Sequence, residues 1–110
     1  GGIRPYVAEL KLALEKKLPI LFILMSDGSY ASVGRWGKDH NLNRIAFKAI
    51  DIKNPSWWRA IAALGYPAKR VENAIQLRRI LSSWKKNPSP MFLEICFERG
   101  KYIKLADGIR

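Results

Sequence analysis

A chain of 110 residues, 48% of them hydrophobic, has apolar material for one core and not for several. Its longest apolar run, Leu18 to Met25, is strand-sized, the first residues carry no secretion-signal pattern, and Cys96 is the only cysteine, so a membrane span and an intrachain disulfide framework are excluded and a reducing, cytoplasmic setting is expected. Lys and Arg number 20 against 9 acids, a net +11, which raises a nucleic acid or another polyanion as a partner. The basic residues are scattered as pairs (Lys16-Lys17, Lys69-Arg70, Arg78-Arg79, Lys85-Lys86) without zinc-ligand spacing or a basic heptad region. Solvated faces, or surfaces meeting an acidic partner domain, account for them better than a nucleic-acid footprint.

In chain order, Pro5 to Lys17 predicts an amphipathic helix. Val7, Leu10 and Leu14 follow the helical period, continued one turn on by Lys17-Leu18, and Pro5 occupies a tolerated first-turn position. Leu18-Pro19 closes it, because the residue before a proline avoids helical dihedrals. Ile20 to Met25 is continuously apolar, the pattern of a parallel strand buried on both faces. Residues 34–54, with Gly34, Gly37, Asp39, His40 and Asn41, read as a long loop holding a short helical piece. Asn54-Pro55-Ser56 opens a second helix, Trp57 to Leu64, closed by Gly65. Ala68 to Val71 forms a short strand. Asn73 caps a third helix with an apolar stripe of Ile75, Leu77, Ile80, Leu81 and Trp84. Asn87-Pro88-Ser89-Pro90 breaks that helix, and Met91 to Phe97 is a further buried strand. This alternation predicts an α/β fold, a three-layer, mainly parallel sheet with helices on both faces and right-handed crossovers. The tail, 99–110, is polar and carries no pattern.

Chemistry concentrates where the first strand stops, at Ser26-Asp27-Gly28-Ser29-Tyr30. Ligands of open α/β sheets bind beyond the carboxyl ends of the strands, so Asp27 stands at a ligand position. A carboxylate beside permissive backbone suits Mg²⁺, which takes one or two carboxylates together with substrate phosphates. The bland alternative is a turn carboxylate that caps the next residues, as Asp-Gly pairs commonly do. His40 has no serine or acid at a triad-like spacing and reads as a solvated loop residue. Cys96, inside an apolar run, reads as a core thiol rather than a nucleophile. Trp57 is expected to pack into the core, and Trp58 to sit at a domain or subunit interface.

Several segments together resemble a known domain. Glu9-Leu10 lies in the first helix, and Leu18-Pro19-Ile20-Leu21-Phe22 leads into the strand. Ser26-Asp27-Gly28-Ser29-Tyr30 stands in place of an Asn-Asn-x-x-Tyr turn. Asn54-Pro55, the helix from Trp57 to Gly65, Arg70-Val71-Glu72 and Pro90-Met91-Phe92-Leu93-Glu94-Ile95 follow in order. Over residues 1–98 the chain resembles the C-terminal thiamine-diphosphate-binding domain of the acetolactate synthase, benzoylformate decarboxylase and pyruvate decarboxylase group. The resemblance implies a thiamine diphosphate and Mg²⁺ site in a 2-keto acid decarboxylase or carboligase, a lyase or transferase. Residues 1–110 would be the C-terminal part of that domain.

By the same resemblance Asp27 binds the metal through its side chain and Ser29 through its backbone carbonyl. Gly1, Gly2 and the backbone of Gly28, Ser29, Tyr30 and Ala31 approach the phosphates. Asp27 stands where the family usually has its second Asn, and Ser26 replaces the first. The 25 residues between Gly1 and Asp27 fit Gly1 as the last glycine of a Gly-Asp-Gly motif, whose carboxylate would precede it; a cloning remnant also accounts for Gly1-Gly2. The activating glutamate belongs to another domain, usually of a neighbouring subunit, so no catalytic residue is assigned here. The implied partners are the remaining domains and a second subunit, in a homo-oligomer. Arg35-Trp36 is similar to a pair found after this turn in some decarboxylases, where an active-site loop and an ordinary surface loop are both open. The competing class is a small basic α/β module that binds nucleic acid or another polyanion.

Overall fold

The computed structural model of the chain describes residues 6–30 and 56–98, together with Val33, Trp36, Gly37, His40, Asn41 and Lys101. The order of its regular elements is α1 (Val7–Glu15), β1 (Leu21–Ser26), α2 (Trp57–Ala63), β2 (Ala68–Val71), α3 (Ala74–Lys86) and β3 (Met91–Cys96). The chain divides into two compact units, Gly1–Met25 with Pro55–Cys96, and Ser26–Asn54 with Phe97–Arg110.

The strands form one sheet in the order β1-β3-β2. β2 and β3 run parallel, with Ala68 opposite Phe92 and Val71 opposite Ile95. β3 also runs parallel to β1: the Met91 N–H donates to the Ile20 carbonyl (3.1 Å), and six residues further along both strands the Phe97 N–H donates to the Ser26 carbonyl (3.2 Å). The predicted α/β class with a parallel sheet and three helices is the one observed.

β3 is the central strand, and its sequence shows why. Phe92, Leu93 and Glu94 are consecutive, so their side chains alternate between faces, yet all three are buried. On the Phe92 face the core gathers Leu10 and Ala13 from α1, Ile61 from α2, and Tyr66, with Leu14, Phe22, Leu24, Trp57 and Ala68 packed against it. Phe22 meets Tyr66 edge-to-face, ring centroids 6.0 Å apart. Trp57 thus takes its expected place beside the core. The Tyr66 side chain is held by its ring: among the described residues its buried hydroxyl has no hydrogen-bond partner, and burial pushes the phenol pKa up.

β1 differs from its expected burial. Its Phe22 and Leu24 point to the core, but Ile23 is 47% and Met25 50% exposed. As an edge strand it is covered by the described residues on one face, whereas the apolar run predicted both. On α3, Leu77, Ile80, Leu81 and Trp84 are half-buried as a stripe, while Ile75 is 72% exposed and lies off it. Pro5 and nearly all of the predicted 34–54 loop lie outside the described residues, as does all of the tail except Lys101. Of that loop, Trp36 and Gly37 are helical.

Two helices end in the same way. In α2, Gly65 adopts φ +82, its N–H donates to the Ala62 carbonyl (2.9 Å) and the Tyr66 N–H reaches back to Ile61 (3.3 Å). In α1, Lys17 takes the equivalent left-handed position at φ +52, its N–H donates to Leu14 (3.1 Å) and the Leu18 N–H to Ala13 (2.9 Å). Both are Schellman closures, which consume carbonyls left over at a helix end. The first helix therefore stops at Glu15, ahead of the Leu18-Pro19 boundary that its sequence suggests.

Candidate functional site

Asp27 follows the last residue of β1 directly, at the carboxyl end of that strand. The following turn uses Gly28 at φ +72, a left-handed conformation in which glycine avoids the Cβ penalty. A Cβ built on Gly28 meets nothing within 4 Å, so the backbone there is open to a close approach. Asp27, Ser29 and Tyr30 are half-buried and Gly28 is exposed.

Both oxygens of Asp27 are occupied locally. The Ser29 N–H donates to Oδ1 at 3.0 Å, and the Ser29 hydroxyl donates to Oδ2 at 2.9 Å. This is an Asx-type turn, in which a carboxylate takes the place of a backbone acceptor two residues before the donor. Each oxygen keeps an unused lone pair, and the two bonds fix the plane of the carboxylate. Every donor atom offered by the turn to a cation is oxygen: the Asp27 carboxylate, the Ser29 hydroxyl and the main-chain carbonyls. That set suits a hard cation such as Mg²⁺ rather than a thiophilic or imidazole-seeking metal. Among the described residues no three His, Cys, Asp or Glu side chains gather where they could hold a metal ion. A one-carboxylate contribution remains compatible with Mg²⁺, which completes its shell with phosphate oxygens and water.

Gly1, Gly2, Ala31 and Arg35 lie outside the described residues. His40 is exposed, as its sequence context suggests, but it is not solitary. Its ring stacks on Trp36 with centroids 4.4 Å apart and planes inclined by 25°. Its Nδ1 lies 2.8 Å from the Trp36 carbonyl oxygen, which can only accept, so Nδ1–H is the donor of that bond. The aromatic residues at i and i+4 were the available signal for this pair.

Away from the turn, Glu94 is a buried carboxylate that the sequence presents only as part of a resembling segment. It is 3% exposed, and its Oε2 accepts the Trp58 N–H at 2.9 Å. The Trp58 indole lies beneath the Arg59 guanidinium, 5.4 Å from the ring centroid. Cys96, a free thiol, is half-buried; burial first, and then the negative charge of Glu94, push its pKa up. That environment is opposite to the one that activates a nucleophile, in line with a structural thiol.

With this geometry, an α/β parallel sheet and a glycine-bearing oxygen turn at a strand's carboxyl end, the chain falls into a known class. Residues 1–95 match the family described as thiamine pyrophosphate enzyme, C-terminal TPP binding domain, and the chain belongs to that family. It is thus a thiamine diphosphate-binding domain of a thiamine diphosphate-dependent enzyme. No curated protein matches it in a direct comparison. Among the described residues no helix is long and apolar enough to cross a membrane.

Proposed function

We propose that the Asp27–Tyr30 turn anchors the diphosphate of thiamine diphosphate through Mg²⁺. Asp27 offers a side-chain oxygen to the metal and Ser29 its main-chain carbonyl, while Gly1, Gly2, Gly28, Tyr30 and Ala31 line the approach of the phosphates. The observation that carries this reading is the all-oxygen turn at the carboxyl end of β1, lying within the stretch that matches the family. The two Ser29 bonds hold the Asp27 carboxylate in one orientation, so the ligand is set before a metal arrives. Gly28 removes the side chain that would stand nearest to an incoming phosphate.

The parent enzyme is a 2-keto acid decarboxylase or an acetolactate synthase-like carboligase, and residues 1–110 form the C-terminal part of its cofactor domain. When bound, the cofactor supplies the carbon nucleophile and electron sink for cleaving or joining the bond beside a keto group. The residues of this chain bind and orient; acid–base work falls to other domains and to a second subunit in a homo-oligomer. The isolated chain is therefore expected to fold without turning over 2-keto acids.

The test is calorimetric titration of the full-length enzyme with thiamine diphosphate, with and without Mg²⁺. Asp27→Ala is expected to weaken Mg²⁺-dependent binding by roughly 10–100-fold or more, the range lost even when partners of metal ligands are removed. Asp27→Asn, which keeps an oxygen and restores the residue usual in the family, should lose much less. Asp27→Ala that binds as tightly as the parent, with the same Mg²⁺ dependence, would make Asp27 a turn residue and sink the assignment.

A further inference from the structure

Helix α3 carries Arg78, Arg79, Lys85 and Lys86 and no acidic residue in its 13 positions. All four cations are exposed, and none is paired among the described residues. Its half-buried stripe, Leu77, Ile80, Leu81 and Trp84, belongs to the side that packs on β2. At about 100° per residue, Ile75, Arg79, Ser82 and Lys86 fall in one row along the opposite side. Arg79 and Lys86 are two turns apart, about 10.5 Å along the axis. Arg78 and Lys85, with the same spacing, lie together along one side of the row.

Lys85 and Lys86 in the last turn complement the helix dipole, and their presence needs no partner. Arg78 and Arg79 stand in mid-helix, where that explanation fails. Ile75 lies on the same row and is 72% exposed, the most exposed large apolar side chain among the described residues. The face carries no carboxylate, so the same face of a second copy offers its cations no counter-charge. A phosphate backbone would satisfy the cations but offers no apolar counterpart to Ile75. An acidic amphipathic helix supplies both.

We propose that the outer face of α3 docks an acidic amphipathic helix of another protein domain. Carboxylates two turns apart would meet Arg79 and Lys86, and an apolar side chain would cover Ile75. This inference goes beyond the cofactor site and does not rest on it.

The probe is a labelled acidic peptide of about 20 residues, long enough to hold a helix in water, with glutamates two turns apart around leucine. Its binding is followed by fluorescence anisotropy at about physiological salt, beside a single-stranded oligonucleotide of similar length. The double variant R79E/K86E is expected to weaken peptide binding by roughly tenfold or more, and R79Q/K86Q by less but in the same direction. K11E/K16E, on α1 and at its C-terminal cap, makes the same change in net charge and should cost less than about twofold. Ile75→Ser should weaken binding several-fold while leaving its salt dependence unchanged. Equal losses in both charge-reversed variants would reduce the effect to net charge and overturn the proposal. It would equally be overturned by an oligonucleotide that binds more tightly than the peptide and is released by R79E/K86E, or by no peptide binding at about 1 mM.

Discussion

Helices α2 and α3 begin with the same difficulty, N–H groups that have no partner within their own helix, and they resolve it over opposite distances. In α3 the solution is local. Asn73, extended at φ −151 and ψ 165, accepts the Gln76 N–H at 2.9 Å, and the Gln76 side chain accepts the Glu72 N–H at 3.0 Å. This reciprocal arrangement follows the logic of a capping box. In α2 the N-cap Ser56 makes no side-chain cap, and its hydroxyl is buried without a partner among the described residues. The Trp58 N–H is satisfied instead by Glu94, 36 residues later on the central strand. Helix α3 carries its own start signal, whereas α2 depends on β3 being in place.

Glu94→Ala is expected to have the largest effect on the start of α2. It would leave the part-buried Trp58 N–H unpaired and a cavity beside β3, and a loss of about 2–4 kcal/mol is expected in urea unfolding. Glu94→Gln keeps an acceptor for Trp58 and should lose clearly less. It also removes the charge that is the second cause, after burial, of the raised Cys96 pKa. A raised thiol pKa means less thiolate at a given pH, so the alkylation profile of Cys96 should move to lower pH in Glu94→Gln. An unmoved profile in Glu94→Gln together with unchanged stability in Glu94→Ala would show that Glu94 neither caps α2 nor acts on the thiol.

Asn73→Ala is the local counterpart. Losing an N-cap side chain typically costs about 1 kcal/mol, and the loss should be confined to α3. Amide exchange would then quicken in the first turn of α3 and leave Trp58 protected. A global loss as large as that of Glu94→Ala would erase the distinction between the two starts.

The same distance decides what could be read from the chain. The α3 cap, the closing Gly65, the three strands and their parallel arrangement were legible because each is written in neighbouring residues or in the alternation of elements. The Glu94–Trp58 bond was not, since nothing near either residue announces a partner 36 positions away. The exposed faces of Ile23, Met25 and Ile75 escaped for a related reason: an apolar residue states what it can bury in, not whether a neighbour is there. Lys17 in the left-handed closure of α1 carries no glycine to mark it. At the candidate site the Asp27 carboxylate and the strand end were visible, and the Asp27-Gly28 pair pointed to a turn. That the Ser29 side chain also fixes Oδ2 is a property of the folded turn, which no neighbouring residue announces.

Ser56→Ala should have the smallest effect of the three, and it tests the comparison from the other side. An N-cap serine normally contributes through its hydroxyl, so its removal usually destabilises. Here the Ser56 hydroxyl caps nothing and is buried without a partner among the described residues, so the folded state already bears the cost of desolvating it. Alanine removes that unpaired oxygen and leaves the Glu94 bond to Trp58 intact. The expected change is within about 0.5 kcal/mol of zero, on the stabilising side if anything. Thermal unfolding of Ser56→Ala beside Asn73→Ala provides the measurement. A loss at Ser56 as large as that at Asn73 would mean that its hydroxyl caps α2 in solution, and that both helices start locally after all.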